Sequence, residues 1–258
     1  MHLIRLGLCL FVSLQPSPQT NSLQPTAPPK RDPQALLLLQ QCISSMGVVD
    51  LQEGFLAVGR RISRPGEDAN VIIKTKGGFL LREDLSAGAY QETNIVNSGA
   101  GRRITKDGIA HAPGWTTAYF RPDHIPALAC ALDLTRPNMG VSYLGIEPLG
   151  QSYGHHIVFS AAPSGKSEDL EKAEDLISRF HVYLDSQSFV VLKTARFVFS
   201  PDAIENRSLW ETTYGDYRNA GGVLMPFHLE NYLSGQKLWD IVFTSIQKDP
   251  GISEADFQ

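Results

Sequence analysis

The sequence predicts an α+β fold dominated by antiparallel strands, and three observations carry that prediction. Apolar and polar residues alternate at period two along most of the chain, as on sheets with one buried face. Short clusters of Gly, Asn and Ser interrupt the alternation and read as hairpin turns, in a chain with 22 Gly and 16 Pro. One leucine-rich amphipathic segment, Ala35 to Met46, precedes the strands and needs a large apolar surface to lie on.

Composition narrows the classes. The chain has 258 residues, enough for one large domain. Its net charge of −4 leaves no basic nucleic-acid footprint. No stretch approaches the ~18 consecutive apolar residues that a spanning helix needs. Three cysteines, Cys9, Cys42 and Cys130, are too few for a disulfide framework or an all-cysteine metal site. Cys42 and Cys130 could pair in an oxidising compartment or serve as two buried small hydrophobes.

Taken in order, residues 1–19 read as a signal peptide. Arg5 gives a short positive region and Leu6 to Leu14 an apolar stretch. Residues 20–32 read as a Pro-rich linker. Asp32-Pro33 then opens the first helix as N-cap and first-turn proline, and Gly47 closes it. Strands follow at Asn70–Lys76, Phe79–Glu83, Gln91–Val96, Arg103–Ile109, Val141–Ile146 and His155–Ala161. Two helices interrupt them: Asp123 to Leu132, with Asp123 as cap, and Ser167 to Ser178. The last eighty residues form a meander: His181–Asp185, Phe189–Lys193, Ala195–Ser200, Leu209–Arg218, Val223–Tyr232 and Lys237–Gln247. Pro226 inside one of these strands implies a bulge or an unpaired edge.

Several motifs resemble catalytic signatures. Gly150-Gln-Ser152-Tyr-Gly154 fits the G-x-S-x-G nucleophile pattern, but a strand follows it where that mechanism needs a helix. Gly165-Lys166-Ser167 is half a phosphate loop whose cradle Pro163 would spoil, so it reads as a solvated helix cap. His155 and His156, adjacent on one strand, point to opposite faces and cannot easily share a metal. Neither a cofactor nor a metal site follows from these spacings.

The C-terminal meander resembles the LolA/LolB-like outer-membrane lipoprotein carrier superfamily. Tyr183-Leu-Asp185, Tyr214-Gly-Asp-Tyr-Arg218, Gly221 to Phe227, Leu233 to Gln236 and Asp249 to Phe257 carry the resemblance. Phe79-Leu-Leu-Arg82-Glu83 is similar to that family's early arginine-bearing strand. The resemblance implies a LolA-like half-barrel over residues 33–258: a curved, incomplete β-barrel covered by helices. Its apolar lining would come from Phe197, Phe199, Phe227, Trp239, Ile241 and Phe243, with Arg82 beside them. Alternation does not separate such a cavity from a filled core. Residues 97–180 exceed what a minimal carrier would need.

The expected function is non-catalytic binding of a lipid or acylated protein, without a cofactor, in an exported, periplasmic or secreted protein. An envelope protein is a further expected partner, nucleic acid is not, and the mature chain would hold no membrane-spanning segment. Two other readings stay open. One is a secreted serine hydrolase using Ser152 with a histidine such as His156. The other is a structural envelope module that binds a partner on a sheet edge.

Overall fold

The computed structural model describes residues 28–47, 50–63, 68–112, 114–117, 119–200 and 203–258. The expected signal peptide and most of the expected linker lie outside them. Thirteen strands form one antiparallel sheet in the order β6-β5-β4-β3-β2-β1-β13-β12-β11-β10-β9-β8-β7. The first six are β1 (Gly54–Ile62), β2 (Asp68–Lys76), β3 (Leu80–Ala87), β4 (Tyr90–Asn97), β5 (Ala100–Thr105) and β6 (Gly108–Ala112). The rest are β7 (Met139–Leu149), β8 (Ser152–Ala161), β9 (Phe180–Asp185), β10 (Val191–Ser200), β11 (Ala203–Ala220), β12 (Val223–Leu233) and β13 (Gln236–Lys248). Consecutive strands pair throughout except at one place. The edges of the sheet, β6 and β7, are neighbours in sequence but not partners. The chain between them instead carries α2 (Gly114–Thr117) and α3 (Pro126–Thr135). That detour leaves the barrel open.

The concave face is filled by α3 and by α1 (Pro33–Met46). Every residue of α3 from Pro126 to Asp133 is buried, as befits a helix apolar on all sides. Leu38, Leu39, Cys42 and Met46 of α1 join the same core as Ile241 and Phe243 of β13. Asp32 caps α1 through Oδ1, which accepts from the Gln34 amide at 2.8 Å, and Gly47 ends it at φ 74°. Gly78 turns β2 into β3 at φ 67°, and a Cβ there would lie 2.2 Å from Leu132 Cδ1 of α3. α4 (Glu168–Ser178) links β8 to β9.

The expected linker ends in an ordered contact. Arg31 forms a parallel bridge to Val141 on the β7 edge. Its guanidinium donates to the Leu134 carbonyl at 3.1 Å and the Arg136 carbonyl at 2.9 Å, which meets carbonyls at the end of α3.

Some expectations need correction. β1 was not foreseen. The strand expected at Arg103–Ile109 is two, β5 and β6, turning at Lys106-Asp107. β10 is one strand rather than two. The N-cap of α3 is Ile125, not Asp123, because the Asp123 carboxylate pairs with Arg196 at 2.7 Å. Pro226 behaves as an edge residue: β12 pairs with β13 only from His228 onward, so nothing there needs its missing N–H. Residues 97–180 are integral to the fold, supplying β5 to β8 and three of the helices.

Candidate functional site

Strand alternation fixes which side chains reach the concave face. Thr194 pairs with Thr212, Thr212 with Asn231, and Asn231 with Trp239, so these four share one face. Buried hydroxyls tie this face to the start of α3: Tyr214 donates to the Asp123 carbonyl at 2.9 Å and lies 2.8 Å from Thr194 Oγ1. One row on this face runs unbroken from β1 to β10. The Arg61 guanidinium lies 5.2 Å from the Trp239 ring centre, and Trp239 meets Trp210 at 5.4 Å. Trp210 pairs with Arg196, whose Nη2 is 2.7 Å from Asp123 Oδ2. Both tryptophans are half-buried. Deeper along the same face lie Phe227, Leu229, Ile241 and Phe243, all buried against the helices.

The structure therefore brings four of the seven expected lining residues together: Phe227, Trp239, Ile241 and Phe243. The other three lie elsewhere. Phe197 and Phe199 alternate with Arg196, which places them on the opposite face, where the Arg207 guanidinium covers Phe197 at 5.2 Å. β10 outruns β9 here, and the free edge borders a cavity of about 170 Å³ with Tyr119, Phe120 and Ile177. Arg82 also points away from the concave side. Its Nε donates to Asp84 at 2.8 Å and its Nη1 to the Asp256 carbonyl at 3.2 Å, fastening the C-terminal turn Glu254–Phe257. Arg61, Trp210 and Arg196 were missed by the sequence reading, because only cross-strand pairing shows that they meet.

A larger cavity, about 600 Å³, opens beside α3, between the β2–β3 and β4–β5 turns and α4. Phe79, Tyr119, Phe120, Arg136 and Glu174 border it. That volume lies within the roughly 300–1,000 Å³ typical of small-molecule sites. Tyr119 donates to Glu174 at 3.2 Å, and Arg136 lies over the Tyr119 ring at 5.6 Å. Behind this wall the buried Arg121 and Asp133 pair, Nε to Oδ2, at 2.6 Å.

The other motifs resolve differently. Ser152 opens β8 and His156 lies four residues along the same strand, about 13 Å away at the usual rise, so they cannot act as nucleophile and base. His156 instead joins a chain on the convex face: its Nδ1 is 2.6 Å from Glu147 Oε1 and its Nε2 is 2.9 Å from His181 Nδ1. Burial, with His156 and Arg179 nearby, pushes His181 down to about 4. Ser167 is the N-cap residue of α4, and the Gly165 amide donates to Glu171 at 2.8 Å. His228, Glu230 and Asp240 form a metal-like group on the convex face, but Lys237 Nζ sits 2.6 Å from Glu230 and 2.8 Å from Asp240. Cys42 and Cys130 are both buried free thiols. Among the described residues no helix is long and apolar enough to cross a membrane.

An open antiparallel sheet wrapped around a buried helix defines the class: the fold is a LolA-like half-barrel. Solved structures share it at low sequence identity. A LolA superfamily protein from Nitrosomonas europaea aligns with TM-score 0.54 and 8% identity over 87% of this chain and 97% of that one. A domain named for outer membrane lipoprotein sorting, from Vibrio parahaemolyticus, gives 0.53 and 10% over 87% and 96%. A DUF1329 family protein from Desulfovibrio piger gives 0.54 and 10% over 87% and 97%. No protein-family profile matches the sequence, and no curated protein matches it.

Proposed function

We propose that this chain is an exported envelope protein that binds a lipid, or the acyl chains of a lipidated protein, without catalysis. The open seam between β6 and β7, with a cavity of about 600 Å³ beside α3, is the observation that carries this reading. Acyl chains would enter there and, as α3 moves aside, take its place on the concave apolar face of Phe227, Trp239, Ile241 and Phe243, which the helices cover. Burial of each CH₂ would contribute about 0.8 kcal/mol. The name of one structural neighbour, the lipoprotein-sorting domain from Vibrio parahaemolyticus, agrees with this reading. A periplasmic location would follow from the same role.

Native mass spectrometry of protein purified gently from an envelope extract tests it. The expected result is a lipid-sized adduct that organic solvent removes and that Trp239→Glu abolishes while the variant stays folded. A clean apo mass, unchanged after incubation with host lipids, would overturn it. One observation favours a second reading, a module that binds a protein on a sheet edge. All five residues of β6 are exposed, Ile109 to 61%, and its outer edge pairs with no other strand. A protein partner captured without lipid, and lost when Ala110 becomes Pro, would support that second reading.

A further inference from the structure

In the row Arg61, Trp239, Trp210, Arg196 and Asp123, each member contacts the next or is its cross-strand partner. It carries an unusual number of unmet hydrogen bonds. Ten side-chain polar atoms among the described residues are sealed from solvent without a hydrogen-bond partner. Four of them lie on or beside this row: Arg61 Nε, Arg196 Nε, Asp123 Oδ1 and His124 Nδ1. Folded proteins leave few such atoms unpaired. Arg61 Nε is at one end of the row, on β1, and the other three are four strands away at the β10 end, so Arg61 Nε is the one beside the indoles. Two of the four are guanidinium N–H donors, which pair best with anionic oxygens. Among the described residues Arg61 makes no ion pair, its one partner being the Trp239 ring, whereas Arg196 is already balanced by Asp123. The unmatched charge is therefore at Arg61, at the end of a row whose centre is two half-buried indoles.

The geometry points to a head-group subsite for an anionic amphiphile at Arg61, beside Trp239 and Trp210. A phosphate or carboxylate oxygen takes the Arg61 Nε–H, and the adjoining methylenes cover the indoles. This inference rests on the lipid-binding reading and narrows it to acidic lipids. It differs from simple acyl burial, in which the head would stay in water and its charge would not matter.

Tryptophan fluorescence of the full chain, titrated with three probes, tests it. Dodecyl phosphate and dodecyl maltoside share a tail and differ in head charge, and inorganic phosphate supplies the head alone. The expected result is about tenfold tighter binding of dodecyl phosphate than of dodecyl maltoside, as one charge-assisted hydrogen bond allows. Arg61→Gln should bring that ratio close to one. Arg60→Gln, on the other face and paired with Asp68, should leave the ratio as it is. A thermal melt confirms that both variants fold, and Arg61→Met, which keeps the apolar stem and removes the charge, substitutes for Arg61→Gln if that variant does not. Equal affinity for the two amphiphiles in the unmutated protein would overturn the inference and leave the carrier reading standing. It is also the outcome if only water fills the sealed donors. Inorganic phosphate binding as tightly as dodecyl phosphate would overturn the amphiphile, leaving a free-phosphate site. Binding of neither amphiphile would overturn the carrier reading itself.

Discussion

Arg121 and Asp133 pair at 2.6 Å in the interior, where the two side chains are 1% and 0% exposed. The arginine also donates to the carbonyls of Tyr119 and Ser178, at 2.9 Å and 2.8 Å, and lies 4.5 Å from the Phe180 ring centre. It thereby ties α3, the segment before it, the end of α4 and β9 to one point. Removing one partner strands a buried charge, which costs about 3–5 kcal/mol. Asp133→Ala should therefore lower the urea midpoint far more than the paired replacement Arg121→Met with Asp133→Leu. Equal losses in the single and double variants would show that the pair itself is not what holds α3.

Gly78 tests the same helix from the other side. Its φ of 67° disfavours any side chain, and a Cβ would overlap Leu132 Cδ1 at 2.2 Å. Gly78→Ala should destabilise by about 2–3 kcal/mol, the sum of strain and overpacking. Leu132→Ala should cost less in the Gly78→Ala background than alone, because the clash disappears while the strained φ remains. Chemical denaturation of the two single variants and the double variant measures that difference.

The convex face predicts a pH dependence. His181 is held near 4 in the folded protein against an ordinary 6.5, first by burial and then by the His156 and Arg179 charges. The unfolded chain binds the proton more readily, so stability from this group is complete above about pH 6.5. It is lost as the pH falls from there through about 4. The full shift would be worth about 3 kcal/mol, and screening of a half-buried group leaves roughly half. Urea midpoints at pH 7.5 and pH 4.5 should therefore converge in His181→Gln relative to the unmutated protein. An unchanged gap would assign the acid sensitivity to other groups, such as the buried His124 ring.

The two thiols should be silent in the folded state. Burial pushes Cys42 up to about 12 and Cys130 up as well, so little of either is thiolate at neutral pH. A thiol reagent at pH 8 should modify neither until urea unfolds the chain. Fast labelling of Cys130 in native buffer would mean that α3 leaves the interior readily, a direct measure of how far the helix can vacate the concave face.

Legibility followed the strength of local signals. Asp32, Pro33 and Gly47 mark both ends of α1 by backbone chemistry that needs no partner, and the structure keeps them. The C-terminal meander was legible because Val223 to Leu229 and Trp239 to Phe243 alternate cleanly. β1 escaped because Gly59 breaks its pattern. A Cβ there would meet the Val242 carbonyl oxygen at 2.3 Å, and the register with β13 shifts at that point, so the glycine serves a contact nearly two hundred residues away. Phe197 and Phe199 misled because β10 inverts the usual sign. Its concave positions are polar, Thr194 and Arg196, and serve Tyr214 and Asp123, while its aromatics face outward. Arg61 gave no signal at all, since the second of two adjacent arginines looks like any solvated strand position.

The pairing of β1 with β13 sets the order in which this molecule can be completed. Phe55 opposes Lys248, so the two ends of the described sheet meet in its middle rather than at its rim. Strands β2 to β6 can zip onto β1, and β7 to β12 onto one another, by short-range connections, the longest being the α4 segment between β8 and β9. The two halves of the sheet cannot pair until the thirteen residues of β13 are present, because among the described residues that strand alone is hydrogen-bonded to both. Such long-range closure is slow and leaves β1 and β12 with unpaired edges meanwhile. A chain in which β13 has yet to form therefore holds two unfinished sheets, each with an edge open to a wrong partner.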